Sequence, residues 1–368
     1  MMWMWSVPYG RPVLFILIVV SLIGLPLLGV LLSGQPLTPY LEFPPLTRRV
    51  PHAPFSWPAF LGLALLIAAG IGPCASRTLV ALTSRTRSTT VKSPFPWWGW
   101  LGVLLIAIAW GLAWTRWPWL AALQPFTFTP LWLGYIVVMN ALTCRANRTC
   151  LLVDRPRFLL VLFLGSAAFW WCFEYLNRFV QNWYYAGIED FGPSSYVFHA
   201  TLSFSTVLPA VVSTAEWLKS SKRLDGAFRT GTPIDVSHRE WIGGIVFILA
   251  AAGLAGIGIW PDYLFPLLWV SPLVLITALQ AMLGQATIFS SLRHGDWRPI
   301  CLPALAGLQC GFFWELWNWH SLAHWEYAIP YVHRFQIFEM PLLGYAGYLP
   351  FGLECLVVAN LLQPGKAE

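Results

Sequence analysis

The sequence predicts an all-α polytopic membrane protein of about ten transmembrane helices, with a parallel internal duplication of four-helix units. Only 10% of the 368 residues are charged, 57% are hydrophobic, and the mean hydropathy is +0.62. A soluble domain carries about 25% charged residues, so a soluble enzyme, a disordered chain and a small disulfide scaffold are excluded. The 23 Trp residues are typical of proteins that contact the membrane–water interface. A set of polar residues that recurs at a fixed offset predicts the duplication.

Ten apolar segments are candidates for transmembrane helices, each of which needs about 20 mainly apolar residues. The ten segments cover residues 12–33, 56–75, 97–114, 130–144, 158–178, 196–218, 241–260, 267–291, 299–319 and 336–362. The last segment is long, and Pro and Gly residues between 341 and 350 interrupt it. The tryptophan- and tyrosine-rich connections near residues 183 and 325 are interpreted as short loops lying in the interface.

The basic residues predict how these helices are oriented. With a cytoplasmic N-terminus, most of the 22 Lys and Arg residues fall on the inside, notably between residues 77 and 92 and between 219 and 240. The outside keeps Arg48, Arg49, Arg116, Arg178 and Arg334. Cytoplasmic loops of membrane proteins carry the excess of Lys and Arg. We therefore predict a multi-pass protein of the cell inner (plasma) membrane with both termini in the cytoplasm.

The repeat becomes visible when the chain is shifted along itself by 141 residues. Glu174 and Asn177 then coincide with Glu315 and Asn318, and the Leu-Pro pair at 208–209 coincides with the pair at 349–350. Chance similarity between two apolar stretches is the alternative. A duplication of four-helix units would relate the two halves by an axis along the membrane normal.

This interpretation divides the chain into five parts. Residues 1–96 would hold two N-terminal transmembrane helices and a basic cytoplasmic linker. Residues 97–218 would form the first four-helix repeat, and residues 219–240 a cytoplasmic linker. Residues 241–362 would form the second repeat, and residues 363–368 a cytoplasmic tail.

Glu174 and Glu315 are the first candidates for catalytic residues. A charged group inside a bilayer is costly, so an intramembrane carboxylate indicates a functional site. In both segments an Asn follows three residues later, at Asn177 and Asn318, and this spacing puts Glu and Asn on one helical face. The alternative is a structural role, in which each Glu only holds neighbouring helices together.

The helix that follows each Glu contributes a second candidate. The repeat puts His199 and Glu339 at equivalent positions, opposite Glu174 and Glu315. We expect Glu315 to face an enclosed aromatic cavity, with Glu339 across it. Two carboxylates at short range share a proton, because they cannot both ionise cheaply, and the protonated member can act as an acid.

Aromatic residues surround both carboxylates. Aromatic faces stabilise cations, so this combination suits a carbocation reaction on a long apolar substrate. Stacking on a sugar ring or a quinone would use the same residues, and an ordinary interfacial belt is the structural alternative. The candidates for substrate contact are Asn177, Asn318, Trp171, Trp314, Trp317 and Tyr175.

The sequence predicts neither a cofactor nor a metal. It contains no P-loop, no Gly-rich dinucleotide fingerprint and no Gly-x-Ser-x-Gly elbow. None of the seven Cys residues forms a Cys-x-x-Cys pair, so we expect neither a disulfide framework nor a zinc site. The alternative is a His/carboxylate metal site formed by His320 and His324 with Glu315 and Glu339.

The outline of the sequence resembles that of the membrane-integral terpene and lycopene cyclases. The residues that carry this resemblance are Phe173-Glu174 and Trp314-Glu315, within segments 158–218 and 299–362. The resemblance implies a compact helical protein built from duplicated segments, with acidic residues in an aromatic cavity. The Pro-x-Glu-Glu motif of the lycopene cyclases does not occur in this sequence.

Three functions are compatible with the sequence. The first is a membrane enzyme that acts on an apolar lipid or isoprenoid by acid chemistry. The second is a cation- or proton-coupled transporter or channel with paired intramembrane Glu sites, for which helices broken near Pro209 and Pro350 would be typical. The third is a structural or assembly subunit with partners in a membrane complex, which would have no sizeable cavity near Glu315. We expect membrane lipids or the substrate as binding partners, and no nucleic acid.

Overall fold

The computed structural model describes residues 10–45, 47–83, 93–236 and 240–363. The longer helices are α1 (Gly10–Leu32), α3 (Trp57–Thr83), α4 (Trp97–Trp114), α5 (Phe128–Asn147), α7 (Pro156–Val180), α8 (Pro193–Phe204), α9 (Val207–Ser220), α11 (Glu240–Gly256), α13 (Leu267–Met282), α14 (Arg298–Asn318) and α15 (Tyr348–Leu362). The short helices are α2 (Thr38–Leu41), α6 (Leu151–Asp154), α10 (Lys222–Arg229) and α12 (Pro261–Leu264), and 3₁₀ turns cover Pro118–Phe126, Ser290–His294 and Leu342–Gly347. The strands are β1 (Trp183–Ala186), β2 (His324–Tyr327), β3 (Gln336–Ile337) and β4 (Met340–Pro341).

This architecture confirms an all-α polytopic membrane protein. Across the described ranges, seven helical segments are long and apolar enough to cross a membrane. They are Pro12–Leu32, Trp57–Thr83, Trp97–Trp114, Pro156–Val180, Pro193–Ser220, Arg298–Asn318 and Leu342–Leu362. The 3₁₀ turn Pro118–Phe126 and α5 follow each other with a bend of 64°. If they are counted together as one span, the number of spans is eight. The predicted number of ten is not confirmed, because α11 and α13 are shorter apolar helices.

Several predicted helical segments end early or are interrupted. Segment 267–291 is helical only to Met282, and Gly284 follows with a φ of +65°, a conformation that glycine adopts readily. Segment 196–218 is divided into α8 and α9 at residues 205 and 206. In segment 336–362, β3 and β4 form a hairpin and a 3₁₀ turn follows, so the α-helix begins only at Tyr348.

The two predicted cytoplasmic linkers also contain helix. In the first, α3 continues to Thr83, and residues 84–92 lie outside the described residues. In the second, α10 buries Leu224 and Phe228. The amphipathic pattern of α10 therefore anchors part of segment 219–240 on the bundle.

The helices pack in two similar sets. α4 packs on α5 and α7 on α9 in the first set, while α11 packs on α13 and α14 on α15 in the second. When α4, α5, α7 and α9 are shifted by 141 residues, their first residues fall within two positions of those of α11, α13, α14 and α15. The contact between α9 and α14 joins the two sets. α3 is largely exposed and contacts α10, as expected of a helix that faces lipid.

A disulfide links Cys74 in α3 to Cys301 in α14. The expectation from Cys spacing, which included no disulfide, is therefore corrected for this pair. The two residues are separated by 227 positions, so only the packing of α3 on the bundle brings them together.

Glycines allow α14 and α15 to approach each other at backbone distance. A Cβ atom on Gly307 would lie 2.2 Å from the Tyr348 carbonyl oxygen, and one on Gly352 would lie 2.1 Å from the Pro303 carbonyl oxygen. A Cβ atom on Gly311 would lie 2.2 Å from the Tyr348 ring. These glycines therefore determine where the Tyr348 side chain lies.

We expect Gly352→Ala to lower the thermal unfolding temperature of the purified protein clearly. The added methyl group cannot avoid the Pro303 carbonyl without moving a helix, and overpacking of this kind costs about 1–3 kcal/mol. The matched control is Gly244→Ala in α11, where no described atom lies within 4 Å of the new Cβ. Equal unfolding temperatures for the two variants would show that the α14–α15 contact is not this tight.

Candidate functional site

The two connections after α7 and α14 pair as an antiparallel ribbon. Trp183 lies opposite Tyr327, and Tyr185 lies opposite Trp325. Side chains alternate along a strand, and opposite residues share a face of the sheet, so these four aromatic residues lie on one face. The connections interpreted from the sequence as separate interfacial loops therefore form a single two-stranded element, β1–β2.

One asparagine at the end of each helix fixes the start of each strand. Asn177 Nδ2 donates to the Trp183 carbonyl at 2.8 Å, and Asn177 Oδ1 accepts from the Asn182 amide at 2.8 Å. Asn318 Nδ2 donates to the Trp325 carbonyl at 2.7 Å, and Asn318 Oδ1 accepts from the Trp325 amide at 2.8 Å. The two asparagines predicted to contact substrate thus use their amide groups to hold β1 and β2.

Glu174 lies beneath this ribbon and is fully buried. Its Oε1 atom accepts three hydrogen bonds. The donors are Trp170 Nε1 at 3.0 Å, Trp183 Nε1 at 3.1 Å and Tyr185 Oη at 2.6 Å. The carboxylate therefore ties α7 to the inner face of β1.

Glu315 has a corresponding arrangement and is also fully buried. Its Oε1 atom accepts from Tyr327 Oη at 2.7 Å and from Tyr348 Oη at 2.6 Å. Trp325 Nε1 donates to Tyr327 Oη at 2.8 Å. In each half, a tyrosine two residues after a ribbon tryptophan donates to the carboxylate of the preceding helix.

The groups around both carboxylates are hydrogen-bond donors. An indole N–H can only donate, and each phenol donates here. Burial, and then the charge of Glu174, raise the pKa of the Tyr185 phenol well above its usual range. Burial and the charge of Glu315 do the same to the pKa of Tyr327. Both phenols consequently keep their protons, and their oxygen lone pairs remain available as acceptors.

A cavity of about 140 Å³ lies between the ribbon and the helices. We call it the aromatic cavity. Its described lining contains two histidines but no Lys, Arg, Asp or Glu side chain. Its walls come from both halves of the chain, and their aromatic members are Phe128, Trp170, Trp183, Tyr185, Phe191, Tyr196, Phe204, Trp269, Trp314, Trp325, Tyr327 and Tyr348.

The carboxylates lie behind the wall of this cavity. Neither Glu174 nor Glu315 belongs to the lining, whereas Tyr185, Tyr327 and Tyr348, which donate to them, do. We expected Glu315 to face the cavity directly. The hydroxyl groups of Tyr327 and Tyr348 instead lie between Glu315 and the cavity.

His199 lines the aromatic cavity. The sequence analysis placed it opposite Glu174, next to the site. Its ring packs on Phe126 with centroids 4.2 Å apart. Glu339 is half-buried, and its backbone carbonyl accepts a hydrogen bond from Gln336 Nε2 at 3.3 Å. The described residues contain no Glu315–Glu339 hydrogen bond, so the expected shared proton is not observed. The reason is local, since residues 336–341 form a hairpin instead of the start of a helix.

The aromatic candidates are dispersed. Trp314 lines the cavity, whereas Trp317 is buried against Trp132, with centroids 5.2 Å apart. Trp171 Nε1 donates to Thr201 Oγ1 at 3.0 Å, and Tyr175 Oη donates to the Ile23 carbonyl at 2.7 Å. Trp317, Trp171 and Tyr175 therefore fix helix packing and do not line the cavity.

The alternative metal site at His320 and His324 is not assembled. The His320 ring packs edge-on against Trp114, with centroids 5.2 Å apart. His324 Nδ1 lies 3.0 Å from the Leu322 carbonyl oxygen, and its Nε2 lies 3.5 Å from Glu326 Oε1. Among the residues that the structure describes, no group of three or more His, Cys, Asp and Glu residues could hold a metal ion.

Sequence reasoning did not identify the tyrosines that present polar atoms to the cavity. Tyr185 and Tyr327 occupy equivalent positions in Trp-Tyr-Tyr and Trp-Glu-Tyr, at an offset of 142 residues. This recurrence was a usable signal, but the strand pairing that turns both tyrosines inward was not visible.

The chain matches no protein-family model, no curated protein and no solved structure. Its functional interpretation therefore depends on the geometry of the site.

Proposed function

We propose that this protein is a membrane enzyme that acts on an apolar lipid or isoprenoid by acid-type chemistry in the aromatic cavity. The observation that carries the proposal is that two Glu–Tyr hydrogen-bonded units, one from each half, converge on a single apolar cavity. Apolar walls suit a hydrocarbon chain, and pockets with a few convergent polar groups are typical binding sites.

The proposed chemistry is the addition and removal of one proton. A carboxyl group that carries a proton donates it to the oxygen of its tyrosine. The tyrosine hydroxyl turns from the carboxyl group to the cavity and gives its own proton to a carbon–carbon double bond of the substrate, so that the carboxyl proton replaces the one transferred. The positive charge that forms on carbon faces the π surfaces of Trp170, Trp314 and Trp325, which stabilise cations. His199, on the same cavity, accepts the proton that the product loses. The net reaction is an isomerisation or cyclisation and needs no oxidant.

The same geometry bears on the alternatives. The carboxylates are surrounded by donors, whereas a bound metal cation needs acceptor ligands, and this disfavours a cation-coupled transporter. A cavity near Glu315 disfavours a purely structural subunit. The 64° bend between the 3₁₀ turn Pro118–Phe126 and α5 favours a proton-coupled transporter as the second candidate, because broken helices line transport sites.

The proposal includes the duplicated architecture. Residues 97–218 and 241–362 are two related four-helix units, so that α11 and α13 count among ten membrane helices. The matching helix starts, the equivalent Asn–Trp and Glu–Tyr hydrogen bonds and the ribbon register support this interpretation. The ribbon supports it because exchanging residues at an offset of 142 maps the pair 183/327 onto the pair 185/325 and the pair 184/326 onto itself. We also propose the inner membrane as the location, with both termini in the cytoplasm.

A carbocation mimic tests the proposed function. We expect an isoprenoid-like chain with a tertiary ammonium group to bind about tenfold or more tightly than the neutral isostere, since desolvated cation–π contacts contribute about 2 kcal/mol. Binding to purified protein is measured by tryptophan fluorescence. Lipids extracted from the same protein are identified by mass spectrometry and then supplied as substrates.

Two variants locate the effect. Trp314→Phe, in the cavity wall, should reduce the preference for the ammonium compound, whereas Trp171→Phe, outside the wall, should not. Equal affinity for the ammonium compound and its neutral isostere would contradict a cation-stabilising site.

A further inference from the structure

A second groove opens next to the aromatic cavity, between the segment after α2 and the segment that leads into α8. It has a volume of about 540 Å³. Tyr185, Ile188, Phe191 and Tyr196 line both this groove and the aromatic cavity. The groove therefore adjoins the aromatic cavity, and these four residues lie between the two.

The charges on this groove have one sign. Glu42 and Glu189 are the charged side chains in its described lining. Both are exposed. The cavity behind the groove has no charged lining apart from any charge on its two histidines. A molecule that follows this route therefore meets negative charge at the mouth and π surfaces inside.

The wall formed by residues 42–45 is held in place. Tyr40 stacks on Phe179 with centroids 4.7 Å apart, and the Phe43 ring lies 5.4 Å from that of Trp171. Arg178 donates to the Glu42 carbonyl oxygen. Both aromatic contacts and the arginine come from α7, the helix that also carries Glu174.

Another groove, lined by Arg49, His52 and His333, shares only Tyr327 with the aromatic cavity. Its mouth carries basic groups. We call the groove that carries Glu42 and Glu189 the acidic groove. It shares four lining residues with the aromatic cavity and therefore has the longer boundary with it.

We propose that the acidic groove is the substrate entrance and that Glu42 and Glu189 select against anionic lipids. The substrate would enter as an uncharged or cationic molecule, and fatty acids and isoprenoid phosphates would be rejected. This inference rests on the proposed function, because it uses the aromatic cavity as the destination. The physical basis is electrostatic, since a charged mouth changes association rates of charged ligands about 10- to 1,000-fold at low salt.

The test uses three brominated C12 chains that differ only in the head group: carboxylate, alcohol and trimethylammonium. Bromine quenches tryptophan fluorescence, and stopped-flow quenching of the full-length protein in uncharged detergent gives association rates. Trp314 lines the cavity, so the quenching that is lost in the Trp314→Phe variant measures entry of the brominated chain into the cavity. We expect the ammonium and alcohol chains to enter much faster than the carboxylate chain, and the difference to shrink in 0.5 M salt because the salt screens exposed charges.

Charge reversal at the mouth provides the specific readout. Glu189→Lys should slow entry of the ammonium chain about tenfold, accelerate the carboxylate chain and leave the alcohol unchanged. Asp190→Lys is the matched control, since Asp190 is exposed and adjacent but does not line the groove, and its effect should be much smaller. Thr47→Trp, in the groove wall, should slow all three chains alike.

The outcomes separate the two proposals. Equal rates for the three head groups, or equal effects of the reversals at residues 189 and 190, would overturn the entrance while leaving the cavity intact. If no chain quenches Trp314, both the entrance and the proposed function are wrong.

Discussion

Glu315→Gln is expected to lower turnover of the substrate by about 100- to 10,000-fold, the usual contribution of a general acid. Glutamine keeps the shape of the side chain, and its carbonyl oxygen can still accept from Tyr327 and Tyr348. What the variant loses is the proton that the proposed mechanism passes to those hydroxyl groups. The measurement is conversion of the lipid or isoprenoid that co-purifies with the protein, together with its binding, which should be retained.

The control for this prediction is Glu339→Gln. Sequence analysis put Glu339 across the site, but Glu339 makes no hydrogen bond to Glu315 in the described residues, so its replacement should lower turnover far less than Glu315→Gln does. Tyr327→Phe and Tyr348→Phe identify which hydroxyl transfers the proton. Full activity of the Glu315→Gln variant would make Glu315 a residue that only locks α14 to α15 and the ribbon.

Glu174→Leu is expected to destabilise the protein by about 3 kcal/mol or more. The leucine side chain would leave the N–H groups of Trp170 and Trp183 and the hydroxyl of Tyr185 buried without their acceptor. Each buried donor left unsatisfied costs about 1–3 kcal/mol. The effect is measured as a drop in the thermal unfolding temperature in detergent, followed by circular dichroism.

Glu174→Gln is the matched variant and should unfold close to the wild-type temperature. Its carbonyl oxygen replaces Oε1 as the acceptor, and its amide replaces Oε2, an atom without a hydrogen-bond partner among the described residues. Stability retained in the leucine variant would mean that the three donors find other partners, and that the ribbon does not depend on Glu174.

The class of the protein and the positions of several helices could be predicted from the sequence. Segment 97–114 coincides with α4, and segments 158–178 and 299–319 agree with α7 and α14 to within two residues at each end. This succeeds because apolar length and the absence of charge are local properties, and a helix satisfies its own backbone hydrogen bonds in a membrane. The same reasoning identified Glu174 and Glu315, since an ionisable residue in an apolar segment is conspicuous without any neighbour.

The partners of those residues depended on tertiary structure. Tyr185 and Tyr327 become site residues only because β1 and β2 pair, although the strands lie about 140 positions apart in the chain. Cys74 and Cys301 meet only because α3 lies against α14. Glu339 lies in the turn of a hairpin, in a segment predicted to be helical, and makes no hydrogen bond to Glu315 among the described residues.

The sequence by itself determined the membrane class, most of the helix positions and the two buried carboxylates, because each follows from residues close together in the chain. Only the packing of the helices shows that both carboxylates lie behind one shared aromatic cavity and accept hydrogen bonds from tyrosines that line it. The polarity of each segment decides whether it lies in the lipid or outside it. Which polar atoms form hydrogen bonds depends on how the two halves of the chain pack against each other.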